Sequence, residues 1–261
     1  MKYTTVELSP NAGVLIGVEI GDETYGIVGN LKGKVITSSK NSSLSKHKLN
    51  AKNLIEFVET LYNGNCLDNR KLLGIGVSIS GMVNVEGEFI NIEKGKNFPI
   101  RKILEDRFCV PVVVENDANM IVVAEHQMGI AKGVQNVIYV LKTSSGIGFG
   151  IILNGELYRG TRGFAGENVK IIPSQVNSKA KEKNQFVTGI FKLISLFDPD
   201  MVILGGELVN LGTSFLNNLR SKVDKLDEVN RNVKIEFAKL GRESIVLAVT
   251  NLGIQKLFNR T

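Results

Sequence analysis

The stretch Val112-Val113-Val114-Glu115-Asn116-Asp117-Ala118-Asn119 decides how this chain folds. Residues 110–115 read as a buried strand and residues 118–128 as a helix, so Asn116 and Asp117 form a strand-to-helix junction. Ligands of open α/β sheets bind at such junctions. An Asp there can accept hydrogen bonds from a hydroxyl and orient it. In an enzyme it can also take the proton as the hydroxyl oxygen attacks a phosphoryl group. The plain alternative is a helix cap, because Asp favours that position on its own account.

Working outward, residues 14–20, 24–28 and 34–37 read as three strands joined by glycine-containing turns at Gly21-Asp22 and Lys32-Gly33, an antiparallel meander. Residues 53–62 carry Leu54, Ile55, Phe57, Val58 and Leu61 at helical spacing, and residues 72–79 return to a strand. The crossover places that strand parallel to an earlier one. A short helix follows at 99–108. Beyond the junction the plan repeats, with strands at 137–141, 148–153 and 156–159, a helix at 185–197 and a strand at 201–204. A helix at 212–225, a strand at 233–237 and a closing helix at 244–258 complete it. The expected organisation is α/β in two lobes, residues 1–120, completed by the helix at 244–261, and residues 121–243.

The chain has 261 residues, 43% of them hydrophobic, enough for one large core or two modest ones. Its apolar runs are strand-sized and Met1-Lys2-Tyr3-Thr4-Thr5 opens no signal sequence, so the cytoplasm is the expected location and no membrane partner is expected. Cys66 and Cys109 are far from any CxxC pair and isolated from His47 and His126, too few ligands for a cysteine–histidine metal site. The net charge of +6 admits nucleic acid, but the lysines read as scattered over solvated surface. The densest basic run, residues 179–183, is broken by Glu182 and reads as an exposed loop or helix start.

Four segments in order carry a family resemblance: Glu115-Asn116-Asp117-Ala118-Asn119; Gly146-Ile147-Gly148-Phe149-Gly150 followed by Gly160; Gly163-Phe164-Ala165-Gly166-Glu167; and Asp198-Pro199-Asp200 leading to Gly205-Gly206. Over nearly its whole length the chain resembles the ROK family of repressors, open reading frames and sugar kinases. The resemblance implies a two-lobed actin-like ATPase or sugar kinase fold of ribonuclease H-like type. It also implies that Asp117 is the base of a kinase or the hydroxyl acceptor of a binding protein, that Asn116 and Glu167 contact the sugar, and that Gly81 lets the backbone approach it. Gly21, Ser145, Gly146, Gly148, Gly205 and Gly206 would lie along a nucleotide. Structural turns are the plain alternative for these glycines. The resemblance further implies a dimer.

The chain departs from the family kinases at their first phosphate loop, Asp-x-Gly-Gly-Thr, where Glu19-Ile20-Gly21-Asp22-Glu23 stands here. With no protein cation to offset them, Asp22 and Glu23 would each cost roughly 4 kcal/mol against a polyanion at 4 Å and an effective dielectric of about 20. The second phosphate turn reads Ser144-Ser145-Gly146. Glu167 is followed by Asn168-Val169-Lys170 instead of Ile-Gly-His, and the family's zinc loop is missing between Ile172 and Gln185, so no zinc is expected. The opening residues 5–21 resemble the segment that follows the helix-turn-helix in family repressors. The leading expectation is therefore a regulator-like sugar-binding domain with a sugar ligand, without efficient kinase activity, with no helix-turn-helix of its own and no direct DNA contact. The rival is an ATP- and Mg²⁺-dependent sugar kinase with Asp117 as base and Glu19 holding Mg²⁺ through water. A degenerate member kept for oligomer contacts is the third reading.

Overall fold

The computed structural model describes residue 9 and residues 11–63, 70–91, 95–144, 146–167, 170–173, 180–241, 245 and 248, the side chains of 180 and 181 excepted. The chain divides into two compact units, Met1–Asp117 with Arg242–Thr261, and Ala118–Gly241.

The first unit opens with β1 (Val14–Ile20), β2 (Thr24–Asn30) and β3 (Val35–Asn41), the expected antiparallel meander. Helix α1 (Ala51–Asn63) buries Leu54, Phe57, Val58 and Leu61, and Asn50 Oδ1 accepts from the Asn53 N–H at 2.9 Å to cap it. It leads to β4 (Leu72–Ile79), parallel to β1. A small hairpin, β5 (Phe89–Asn91) and β6 (Lys96–Phe98), comes next, then α2 (Ile100–Phe108) and β7 (Val112–Asn116), parallel to β4. The sheet order is β3-β2-β1-β4-β7. β1 and β4 are buried on both faces, which is why they read as unbroken apolar runs. β3, on the edge, alternates exposed and half-buried residues.

Helix α3 (Asp117–Met128) follows β7 without a gap, and from Ala118 to Glu125 only Ile121 is not buried. The second unit then repeats the plan. β8 (Val137–Thr143), β9 (Gly146–Leu153) and β10 (Glu156–Leu157) are antiparallel, α4 (Ala180–Phe197) crosses to β11 (Met201–Gly206), and α5 (Gly212–Leu226) crosses to β12 (Lys234–Phe237). Its order, β10-β9-β8-β11-β12, matches the first sheet strand for strand. Each unit has its own apolar core, one centred on Ile16, Val77 and Leu104 and the other on Val140, Phe186 and Val202.

Three local expectations are corrected. The third strand of the second meander is shorter than expected and ends at Leu157, with Tyr158 N still donating to Ile151 O at 2.8 Å in the same antiparallel register. Helix α4 begins five residues early, at Ala180, so residues 180–183 of the basic run form its first turn, the helix-start alternative of the expectation. The hairpin β5–β6 and a 3-10 turn at Glu207–Leu211 were not expected at all. Most of the helix expected at 244–258 lies outside the described residues; Ile245 and Ala248 are helical and buried. No described helix is long and apolar enough to cross a membrane.

Candidate functional site

Strand register sets the first unit's site. Ile20 of β1 pairs with Ile79 of β4, and Ile79 pairs with Asn116 of β7, so three parallel strands end in one row. The residues just past that row are Gly21, then Ser80 and Gly81, then Asp117. Ser80 N donates to Ile20 O at 2.9 Å and ties two of the loops together. With strands about 4.8 Å apart, Gly21 and Asp117 sit roughly 10 Å apart at the level of the backbone. Four residues singled out in the sequence, Gly21, Gly81, Asn116 and Asp117, thus come to one edge of one sheet.

Burial distinguishes Asp117 from its neighbours. Every residue from Val112 to Met120 is buried except Asp117, which is half-buried. Ser78, Glu115, Asn116 and Asn119 are polar and buried around it in sequence and register, with Ser78 opposite Glu115. Such groups are desolvated at a cost and are kept where they are hydrogen-bonded or serve a ligand. Asp117 is thus the carboxylate with access to solvent at the otherwise buried end of β7. Gly81 has a φ of +149°, and a Cβ there would lie 2.7 Å from the Phe89 ring, so both backbone and packing require glycine. Phe89 comes from the unexpected hairpin, and no sequence spacing links the two residues.

The β1–β2 turn corrects the electrostatic expectation. Asp22 and Glu23 do have protein cations beside them: Lys46 Nζ is 3.6 Å from Asp22 Oδ1 and Lys40 Nζ is 2.5 Å from Glu23 Oε2, and the His47 ring nitrogen Nε2 lies 3.8 Å from Asp22 Oδ1. The register Tyr25↔Lys40 across β2 and β3 delivers Lys40 to Glu23, a contact readable from the hairpin once its pairing is known. The hydrogen bond from Lys40 holds the Glu23 carboxyl below the usual carboxylate range, with Tyr25 and Ser42 adding smaller effects, and Glu23 raises the Lys40 ammonium in return. Glu23's depressed value means that the pair's contribution is present above the carboxyl's unfolded pKa and is lost as pH falls through its folded one. Replacing Lys40 with Met should move the Glu23 titration, followed by carboxyl carbon NMR shifts, upward toward the ordinary range. An unmoved midpoint would refute the pairing. Gly21 itself has ordinary backbone, and its nearest neighbour to a Cβ would be Glu23 O at 3.6 Å. Nothing in the fold demands glycine there.

In the second unit, Leu141 of β8 is flanked by Gly148 of β9 on one side and Gly205 of β11 on the other, while Thr143 pairs with Gly146 and Lys142 with Gly206. Four of the five expected nucleotide glycines, all but Gly21, are therefore brought to one sheet edge. Ser145 lies outside the described residues. Packing alone accounts for two of the four: a Cβ on Gly205 would fall 1.8 Å from the Tyr139 hydroxyl, and one on Gly206 2.1 Å from Lys142 O. Gly146 has a φ of +140° with open space around it, so only its backbone calls for glycine. Glu167 sits half-buried in a turn where Glu167 N donates to Phe164 O at 3.1 Å. Gly166 before it has a φ of +82° and no room for a Cβ beside Phe149 O.

Glu125 was missed by the sequence reading. It is fully buried on α3 and accepts from Ile130 N at 2.9 Å, Lys239 N at 2.6 Å and Leu240 N at 2.8 Å. A Cβ on Gly129 would sit 1.9 Å from its Oε2. The E-x-x-x-G spacing of Glu125 and Gly129 was the available signal. Among the described residues no group of three or more His, Cys, Asp or Glu is placed to hold a metal ion, and Cys109 is an exposed free thiol.

The chain is similar to known proteins over most of its length. The xylose repressor of Caldicellulosiruptor bescii is 25% identical, over 97% of this chain and 81% of the relative. That alignment runs over 325 positions against a chain of 261 residues, so the relative carries segments that this chain lacks. Among solved structures, a ROK family transcriptional regulator homologous to the Escherichia coli MLC protein superposes with a TM-score of 0.79 at 16% identity, over 95% of this chain and 79% of that one. A ROK family glucokinase from Streptomyces griseus, in complex with glucose and AMPPNP, gives 0.69 at 19% identity, over 93% and 100%. The fold is that of the actin-like ATPases. The family model for "ROK family" matches residues 15–174, well over half of the sequence, and the chain belongs to the ROK family.

Proposed function

We propose that this chain is the sugar-binding body of a ROK-type regulator and does not efficiently phosphorylate its ligand. The observation that carries the proposal is the single half-buried carboxylate, Asp117, at the end of an otherwise buried strand beside the buried carboxamides of Asn116 and Asn119. A carboxylate accepts two or more hydroxyl hydrogen bonds and a carboxamide both donates and accepts, which is the chemistry of a ring of vicinal hydroxyls. The backbone at Gly81 offers a close approach on the neighbouring strand. Glu167 is assigned by the family pattern alone. The repressor relative makes D-xylose the first sugar to test.

Calorimetric titration of the full chain with D-xylose, D-glucose and their phosphates is the experiment. One of them should bind, and Asp117→Ala should weaken that sugar by about 2 kcal/mol, about thirtyfold, the worth of hydrogen bonds to a charged group. Silence of the unchanged protein across the panel sinks the reading. No resident zinc is assigned, since Asn168-Val169-Lys170 replaces the family's Ile-Gly-His; zinc in the purified protein would overturn that part.

The kinase reading gains one specific support, the cations found beside Asp22 and Glu23, which remove much of the electrostatic objection to ATP and Mg²⁺. Against it, the turn still lacks the family's second glycine and threonine. ADP release that is sugar-dependent and lost in Asp117→Asn would establish the kinase and overturn the non-catalytic part of the proposal.

A further inference from the structure

The glycine row at the end of the second sheet has a charged pair built into it. Lys142 of β8 pairs in register with Gly206 of β11, and Thr143 beside it pairs with Gly146 of β9. Cross-strand partners share a face, so Lys142 continues the line of Ile138 and Val140 past the core that Val202 and Leu204 complete on β11. Glu207 follows Gly206 and opens the 3-10 turn Glu207–Leu211. Its Oε2 accepts from Lys142 Nζ at 2.7 Å. The partners differ in access: the lysine side chain is 18% exposed and the glutamate side chain 49%. Lys142 is therefore held in the wall of the strand end by the packing around its stem, whereas Glu207 can leave it for solvent.

The same strand end has other features of a polyphosphate site. β8 and β11 are parallel, and ligands of open α/β sheets bind outside the carboxyl ends of such strands. Gly146 has open space where a side chain would stand, which leaves its backbone open to close approach. Val209 and Leu211, in the turn that Glu207 opens, are apolar and exposed. Resting on the reading of this chain as a body that does not efficiently phosphorylate its ligand, we propose that Glu207 closes this strand end to nucleotides. Its carboxylate takes the ammonium that a phosphate would otherwise engage. Being part of the chain, it meets Lys142 without the loss of translational freedom that a dissolved anion suffers. A phosphate must then either displace it or lie beside a like charge.

The test is calorimetric titration of the full chain with ATP, with and without Mg²⁺, and with inorganic tripolyphosphate. Glu207→Gln keeps the size of the side chain and removes its charge, and it should bind both probes about tenfold more tightly than the unchanged protein, the worth of one relieved like-charge contact. Glu207→Ala should show the same gain, so that one badly folding variant does not decide the matter. Adding Lys142→Met to Glu207→Gln should remove the gain, because the ammonium is what the phosphate engages. Glu228→Gln, the same charge change on an exposed residue elsewhere, should stay within about twofold of the unchanged protein. Equal affinity in the unchanged protein and both Glu207 variants, binding by none of them, a gain that survives Lys142→Met, or an equal gain in Glu228→Gln would each overturn the proposal. Sugar-dependent ADP release by the unchanged protein would instead bring down the non-phosphorylating reading and the proposal together. Sugar binding is judged by its own titration, since neither Lys142 nor Glu207 is among its assigned contacts.

Discussion

Glu125→Ala is expected to cost about 3 kcal/mol of folding stability, from three backbone hydrogen bonds lost to one side chain and the hole left behind. The side chain is fully buried, and its two oxygens take three part-buried backbone N–H groups. Two of those donors, Lys239 and Leu240, lie 114 and 115 residues away in sequence, and they continue a segment whose Ala238 N already pairs with Leu204 O at 2.9 Å. Losing the carboxylate strands that segment's donors and opens a hole where Gly129 has been kept free of a Cβ. Glu125→Gln should fall between the two proteins, because one oxygen remains while the amide N–H₂ faces other donors. Urea denaturation at a temperature where the parent is stable gives the number. A loss below about 1 kcal/mol for the Ala variant, the level of an ordinary surface contact, would show that the three hydrogen bonds are not what fixes this corner.

How much of this could be read beforehand depends on how far each residue's partner lies along the chain. β1, β4, β7, β8 and β11 announce themselves as apolar runs ended by glycine or by polar residues, because strands buried on both faces have no alternation to disguise. The Asn116-Asp117 junction was legible for the same reason, as a polar break at the end of such a run. β5 and β6 were not: three residues each, with Asn91, Lys96 and Asn97 among them, show no period. The cations beside Asp22 and Glu23 were hidden by a different cause. Lys40 and Lys46 are 17 and 24 residues beyond those carboxylates, and only the fold of the hairpin and the loop that follows returns them. Local sequence around the turn therefore shows two anions and none of the cations that face them. Gly81 shows the same limit, since its partner Phe89 belongs to the hairpin that sequence could not reveal.

Gly205→Ala should destabilise the protein by about 3 kcal/mol, the upper range for overpacking a closed core, and Tyr139→Phe in the same chain should return part of that loss. Tyr139 pairs with Ile203 across β8 and β11, and Gly205 is two residues on, so the two point to the same face. The ring is 1% exposed, and its hydroxyl would stand 1.8 Å from an alanine Cβ, a distance that forces the tyrosine or the strand to move. Removing that oxygen withdraws the closest clash but leaves the ring carbon, which a Cβ would meet at 2.3 Å, so the rescue should be incomplete. Nucleotide contact, the role that family resemblance gives this glycine, predicts something else. In that case Gly205→Ala would leave the thermal midpoint of the ligand-free protein unchanged and lower only the response to added ATP. Thermal unfolding of the four proteins in the cycle, with and without ATP and Mg²⁺, separates the two. A full loss in the ligand-free protein that Tyr139→Phe reduces makes the glycine a consequence of sheet packing, which this fold would need whether or not a nucleotide ever bound.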